Sequence, residues 1–260
     1  MTMDCYKPAE IAARVEQAGV GKVEMAAGQI FLLALLAGAF IGFGALFYTL
    51  VTTGSTLGFG PTRLLGGMAF SLGLILVVIG GAELFTGNNL IVMAWADRKI
   101  TISQLLTNWV IVYFGNFVGA VATAVLVVWS GVLDLNDGAV SDTAIRIAQA
   151  KLDLDWSEAF FRGVLCNVLV CLAVWLSFAA RSVAGKVLAI MFPITAFVGV
   201  GFEHSVANMY VIPVAMLHGN TPPDISGFLS NLIAVSAGNI VGGGVLVALV
   251  YWLIYLRPAR

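Results

Sequence analysis

The sequence predicts an all-α integral membrane protein: six transmembrane helices as two inverted three-helix repeats, with helices two and five interrupted. Three observations predict it: a composition too apolar for a soluble fold, six apolar runs of spanning length, and one glycine–glutamate–asparagine motif written twice. Hydrophobic residues make up 60% and charged residues 10%, with a mean hydropathy of +0.98. A soluble domain carries about a quarter charged residues. No soluble fold could hide this much apolar surface, whereas a lipid-facing exterior absorbs it.

The apolar runs lie near 27–53, 64–97, 105–131, 158–180, 185–217 and 227–256. A span needs roughly 20 residues. The second and fifth runs are too long for one simple helix, and each holds a glycine-rich polar break. Six spans put both termini on one face. Lys7, Arg14, Lys22, Arg98, Lys99, Arg181, Lys186, Arg257 and Arg260 fall on that face, and Arg63, Arg146, Lys151 and Arg162 on the other. The bias predicts cytoplasmic termini in a multi-pass cytoplasmic (inner) membrane protein. The connection 132–157 on the opposite face is acidic, with Asp134, Asp137, Asp142, Asp153 and Asp155.

Residues 1–25 form a cytoplasmic N-terminal amphipathic segment; 26–260 form a single transmembrane channel domain, with repeats at about 26–131 and 157–256. The first residues carry Asp4, Glu10 and Glu16 and no apolar core, so they are not expected to act as a signal peptide. Pro8 to Ala18 reads as a short helix, with Ile11, Val15 and Ala18 at helical spacing. It either lies on the membrane surface, covers a mouth, or simply leads in. A net charge of −1 offers no basic face for nucleic acid. Cys166 and Cys171 sit in an apolar run, so no disulfide framework is expected.

The two halves repeat. GAELFTGNN at 81–89 and GFEHSVANM at 201–209 share Gly81 with Gly201, Glu83 with Glu203 and Asn88 with Asn208. TNWVIVYFGNFVG and SNLIAVSAGNIVG share Asn108 with Asn231, Gly115 with Gly238, Asn116 with Asn239 and Gly119 with Gly242. Three spans per half force the second half to enter from the opposite side. Transporters built on inverted repeats place interrupted helices at the pathway, because broken backbone at membrane depth survives only against protein or a wet cavity.

Glu83, Glu203 and His204 are ionisable groups inside spans, and such groups are functional candidates. Each glutamate also reads as a tether for freed backbone N–H groups, as its repetition suggests. His204 has no counterpart, since Leu84 stands there in the first half. That asymmetry favours a pathway role over a merely satisfied core histidine. Histidine changes charge near neutral pH and suits exchange with a weak acid. Thr86 and Ser205 offer hydroxyls in the breaks, and Asn88, Asn167 and Asn208 offer amides. A helix N-terminus at each break would favour an anion. Small residues in GNFVGA and GNIVGGG read mainly as packing. Asn116 and Asn239 could bond across helices or to the broken segments. His204 beside Ser205 lacks a third partner for triad chemistry, and His204 with His218 makes no metal site. No enzyme activity, cofactor or metal is therefore expected.

The strings GAELFTGNN, FGNFVGA, CNVLVCLAVW, GFEHSVANMY and GNIVGGG together resemble the formate/nitrite transporter family, over about Tyr6 to Tyr255. The resemblance implies an aquaporin-like protomer, although the paired Asn-Pro-Ala motifs of aquaporins are absent, and a homopentamer with one pore per protomer. It implies His204 as the central pore histidine, supported by Thr86, Asn208 and Asn167, with Glu203 holding the loop. It implies one apolar constriction at Leu74, Leu84 and Phe197 and another at Phe70, Val170 and Phe202. It implies anion attraction by Lys151 at the outer vestibule. The expected partners are protons, lipid and a small anion, formate first. E-L-F-T-G-N stands here where formate-channel relatives often have D-L-F-T-S, which keeps nitrite and hydrosulfide open. An intramembrane enzyme and a structural protein are the rival classes; the latter would need neither His204 nor two broken helices.

Overall fold

The computed structural model describes residues 5–219 and 224–257; Asp4 and Arg260, used above, lie outside them. Helix α1 spans Pro8–Glu24, α2 Ala27–Thr52 and α3 Phe59–Gly80. A short 3-10 segment, Gly87–Ile91, runs into α4, Val92–Ala96. Then follow α5 (Ile102–Trp129), α6 (Ala139–Leu152), α7 (Trp156–Ala179), α8 (Val183–Val200), α9 (Ser205–His218) and α10 (Ile225–Ile240). A π-helical stretch, Val241–Leu249, joins α10 to α11, Val250–Tyr255.

Six of these segments among the described residues are long and apolar enough to span a bilayer, with Ile225–Tyr255 continuous as the last. The chain is a multi-pass membrane protein. Helix starts follow local chemistry. Thr101 and Gln104 form a reciprocal capping box at α5, and Ser182 and Asp224 accept from Gly185 and Gly227 at α8 and α10. Leu32, Val110, Phe114, Leu126 and Phe192 point outward, as an apolar surround allows.

Two helix crossings hold the halves. Helices α2 and α5 pack so closely that a Cβ on Gly119 would stand 2.0 Å from the Leu35 carbonyl oxygen. Between α7 and the π-helical stretch that continues α10, the matching contact puts a Cβ on Gly242 2.1 Å from the Val164 carbonyl oxygen. The small residues of the repeated motif are therefore packing residues.

Two regions differ from the sequence reading. The acidic connection 132–157 is not simply a loop: it carries the 14-residue α6, whose Val140, Ala144 and Ala148 are buried. Helix α1 extends past Ala18 to Glu24 and is docked. Its Ile11, Ala12 and Val15 are buried among Leu90, Ile91, Val92 and Trp175, so it covers that end of the bundle.

Candidate functional site: two helix breaks and an outer cavity

Both breaks are made the same way. Helix α3 ends at Gly81, φ 80° and ψ 31°, and α8 ends at Gly201, φ 87° and ψ 35°. Only glycine takes this left-handed region without cost. The chain then leaves the helix for a few residues, so its N–H and C=O groups need new partners.

Two asparagines supply them. Asn116 Oδ1 accepts from the Phe85 N–H at 2.9 Å, and its Nδ2 donates to the Ala34 and Glu83 carbonyls. Asn239 does the same in the other half: Oδ1 accepts from the Ser205 N–H at 3.0 Å, and Nδ2 donates to the Gly163 and Glu203 carbonyls. Both asparagines thus bond across helices and to the broken segments at once.

The glutamates are tethered by side chains rather than by backbone N–H groups, contrary to expectation. Glu83 accepts from Lys22 Nζ at 2.5 Å and from Asn88 Nδ2 at 2.7 Å. Asn88 Nδ2 also reaches Asn108 Oδ1, and Asn108 Nδ2 reaches the Lys22 carbonyl. Glu203 accepts from Lys151 Nζ at 2.8 Å and from Asn208 Nδ2 at 2.7 Å. Asn208 Nδ2 also reaches Asn231 Oδ1, and Asn231 Nδ2 reaches the Lys151 carbonyl. The correspondence of the halves therefore extends to α1 and α6, beyond the repeats at 26–131 and 157–256. Each helix ends near a lysine locked onto a break.

Two of the expected site residues have partners of their own. Lys151 faces the outer cavity but is already paired with Glu203, so its charge is largely matched. Asn208 belongs to the Glu203 tether rather than to the histidine, and its Oδ1 is buried without a hydrogen-bond partner.

His204 is where the halves meet. Its Nδ1 accepts from the Ala207 N–H at 3.1 Å, which makes it the N-cap of α9. Its Nε2 lies 2.9 Å from Thr86 Oγ1 in the opposite break. Since Nδ1 is an acceptor, the ring proton of the neutral imidazole sits on Nε2 and points at the Thr86 oxygen. Asn167 Nδ2 donates to the carbonyls of Thr86 and Asn239 and so ties the first break to α10, whose Asn239 side chain holds the second. The first N–H groups of α9 are taken by Asn239 and His204, which leaves little of that helix end for an anion.

A cavity of about 290 Å³ opens on the face away from α1. His204, Phe70, Phe197 and Phe202 line it, as do Arg63, Arg146, Lys151 and Arg162. Phe197 stands edge-on to Phe70 at 5.6 Å and stacks on the His204 ring at 6.0 Å. Phe70, Phe197 and Phe202 share the cavity side. Leu74, Leu84 and Val170 are buried in the core and do not line this cavity. The sequence reading missed the arginines as a group and the cap made by His204. Only the side assignment of the charges hinted at the first.

Comparison with known proteins fits this geometry. The family described as formate/nitrite transporter matches residues 9–253. The formate channel FocA of Escherichia coli (strain K12) is 42% identical over 98% of this chain and 96% of its own length. A solved pentameric formate channel with formate bound superposes with a TM-score of 0.80 at 42% identity, covering 89% of this chain and 98% of that one. An FNT family ion channel superposes at 0.85 with 29% identity, covering 96% and 99%.

Proposed function

Because the chain belongs to the formate/nitrite transporter family, we propose that it carries small monovalent anions of weak acids, formate first, across the cytoplasmic membrane in a proton-linked, pH-dependent way. The formate channel FocA and the formate-bound pentamer support formate as the anion and a homopentamer as the assembly. The Lys/Arg bias supports cytoplasmic termini.

The observation that carries this reading is the Thr86–His204 hydrogen bond at the floor of a cation-lined cavity. An anion gathers at the outer cavity. Phe70, Phe197 and Phe202 line part of it, and against them a bare charge is costly. Protonation converts the anion into a neutral acid that crosses. A second ring proton on His204 would have to displace the Ala207 N–H from Nδ1. The neutral histidine therefore serves as a hydrogen-bond donor, with Thr86, to the passing oxygen. The proton that neutralises the anion is drawn from water near the ring. Glu83 and Glu203 hold the breaks rather than exchange protons with the cargo.

Flux into liposomes carrying the purified protein tests this, with formate, nitrite, hydrosulfide and chloride compared across pH. Formate flux that grows with an inward proton gradient is expected. The motif E-L-F-T-G-N favours keeping nitrite or hydrosulfide as the second reading, and a preference for either would change the cargo and keep the mechanism. No flux of any of these ions sinks the transport reading.

A further inference from the structure

All four cations assigned to the outer face, Arg63 from α3, Arg146 and Lys151 from α6 and Arg162 from α7, line the same cavity. Lys151 is matched by Glu203 at 2.8 Å. The three guanidiniums are not matched in this way. Arg63 donates through Nε to the Gly199 carbonyl at 2.9 Å and through Nη1 to Tyr48 Oη at 3.0 Å. Its Nη2 stands over Gly201, where a Cβ would come within 2.8 Å. The head is therefore held by neutral acceptors, and its charge is left in the cavity. Arg146 donates to Thr143 Oγ1 on its own helix, another neutral partner. Arg162 Nη2 is 4.0 Å from Glu158, whose side chain is 54% exposed. A surface pair at that distance is weak.

We propose that the outer cavity is a carboxylate-binding subsite, formed by the guanidiniums of Arg63, Arg146 and Arg162, that loads the pore and selects planar two-oxygen anions before they reach His204. This rests on the transport reading above and names the specificity element of that site. A guanidinium presents a planar fork that fits two carboxylate oxygens at once, whereas a lysine is a point charge. The subsite thus favours formate and nitrite over chloride and hydrosulfide, which have no such pair of oxygens. The cavity volume sits near the lower end of small-molecule pockets, roughly 300 Å³. It therefore has room for a small two-headed carboxylate.

The test uses the full-length protein in liposomes of one orientation, with formate flux as readout and succinate as the two-headed probe. Succinate on the outer face is expected to slow formate entry, chloride at the same concentration to have little effect, and succinate on the α1 face to have none. The double variant Arg146→Gln/Arg162→Gln should weaken succinate inhibition by about tenfold, as loss of charged hydrogen bonds implies. It should also raise the outer half-saturation for formate more than the inner one. Arg146→Lys/Arg162→Lys keeps the charge without the fork and should narrow the gap between succinate and chloride. Equal inhibition from both faces, or unchanged inhibition in the glutamine variant, overturns the subsite. A wild type that passes no formate sinks the transport reading instead. Calorimetric binding of succinate to the purified wild type and glutamine variant then decides the subsite alone, with equal binding overturning it.

Discussion

Thr86 Oγ1 and His204 Nε2 meet at 2.9 Å and join the first helix break to the second. The same ring caps α9 through Nδ1. One side chain thus caps a helix and, in the proposed function, serves the pathway, and the two roles can be separated.

Asparagine at position 204 can still accept the Ala207 N–H, because Asn is a good N-cap, while it removes Nε2. His204→Asn is expected to keep the thermal stability of the purified protein and to lose pH-dependent flux. His204→Ala should lose both, with about 1 kcal/mol from the cap. Unaltered pH-dependent flux in His204→Asn would contradict the pathway role. Thr86→Val keeps the shape and strands the buried Nε2–H, so flux should fall about tenfold if the loss is near 1.4 kcal/mol.

Lys151 and Glu203 form a largely buried pair. Removing one partner leaves an uncompensated charge, while removing both leaves a smaller loss. Lys151→Met should destabilise more than Lys151→Met/Glu203→Gln, with a coupling above about 1 kcal/mol in a double-mutant cycle read by thermal unfolding. Lys22 and Glu83 should couple with the same sign. Additive cycles at both sites would show the pairs to be incidental.

The glycines separate into two kinds. Gly119→Ala and Gly242→Ala drive a methyl onto backbone carbonyls and should prevent proper helix packing, seen as loss of a monodisperse assembly in detergent. Gly28→Ala meets nothing within 4 Å and should be neutral or stabilising by up to about 1 kcal/mol. Intact assembly of Gly119→Ala would mean that the α2–α5 crossing tolerates separation.

The docking of α1 carries its own pH dependence. Burial pushes the Glu16 carboxyl above its ordinary value, against the pull of its partner Lys99, and the neighbouring Asp97 adds to the rise. A raised acid contributes stability that is full below its unfolded value, near 4.5, and is lost as pH rises through the folded value. Hydrogen exchange in α1 should therefore quicken as pH climbs from about 4.5 through the raised folded value, and Glu16→Gln should flatten that slope. The same pH profile in both proteins would show that Glu16 does not tune the dock. Lys99 is raised chiefly by its bond to Glu16, so its share persists until well into alkaline pH.

Much of this was legible in the residues. Six runs became six spans because apolar length is a one-dimensional property. The breaks were legible because Gly81 and Gly201, Glu83 and Glu203, and Asn116 and Asn239 recur in order. Helix α6 was hidden: Val140, Ala144 and Ala148 have helical spacing, but acids on either side dilute the pattern. The match of Lys22 to Lys151 has no local sequence signal, since it exists only as a bond to the glutamate of each break. The arginine cavity was equally silent, because Arg63, Arg146 and Arg162 converge only after α3, α6 and α7 have packed.

The paired breaks differ at one telling point: Leu84 stands where His204 does in the other half. A perfectly two-fold scaffold would treat a solute alike from either direction. Here the shell is nearly symmetric, and the polar station is single. Kinetic rectification, if it is measured, need not come from a moving gate; it can reside in this one unequal pair of side chains and in the guanidinium-lined cavity on one side of it.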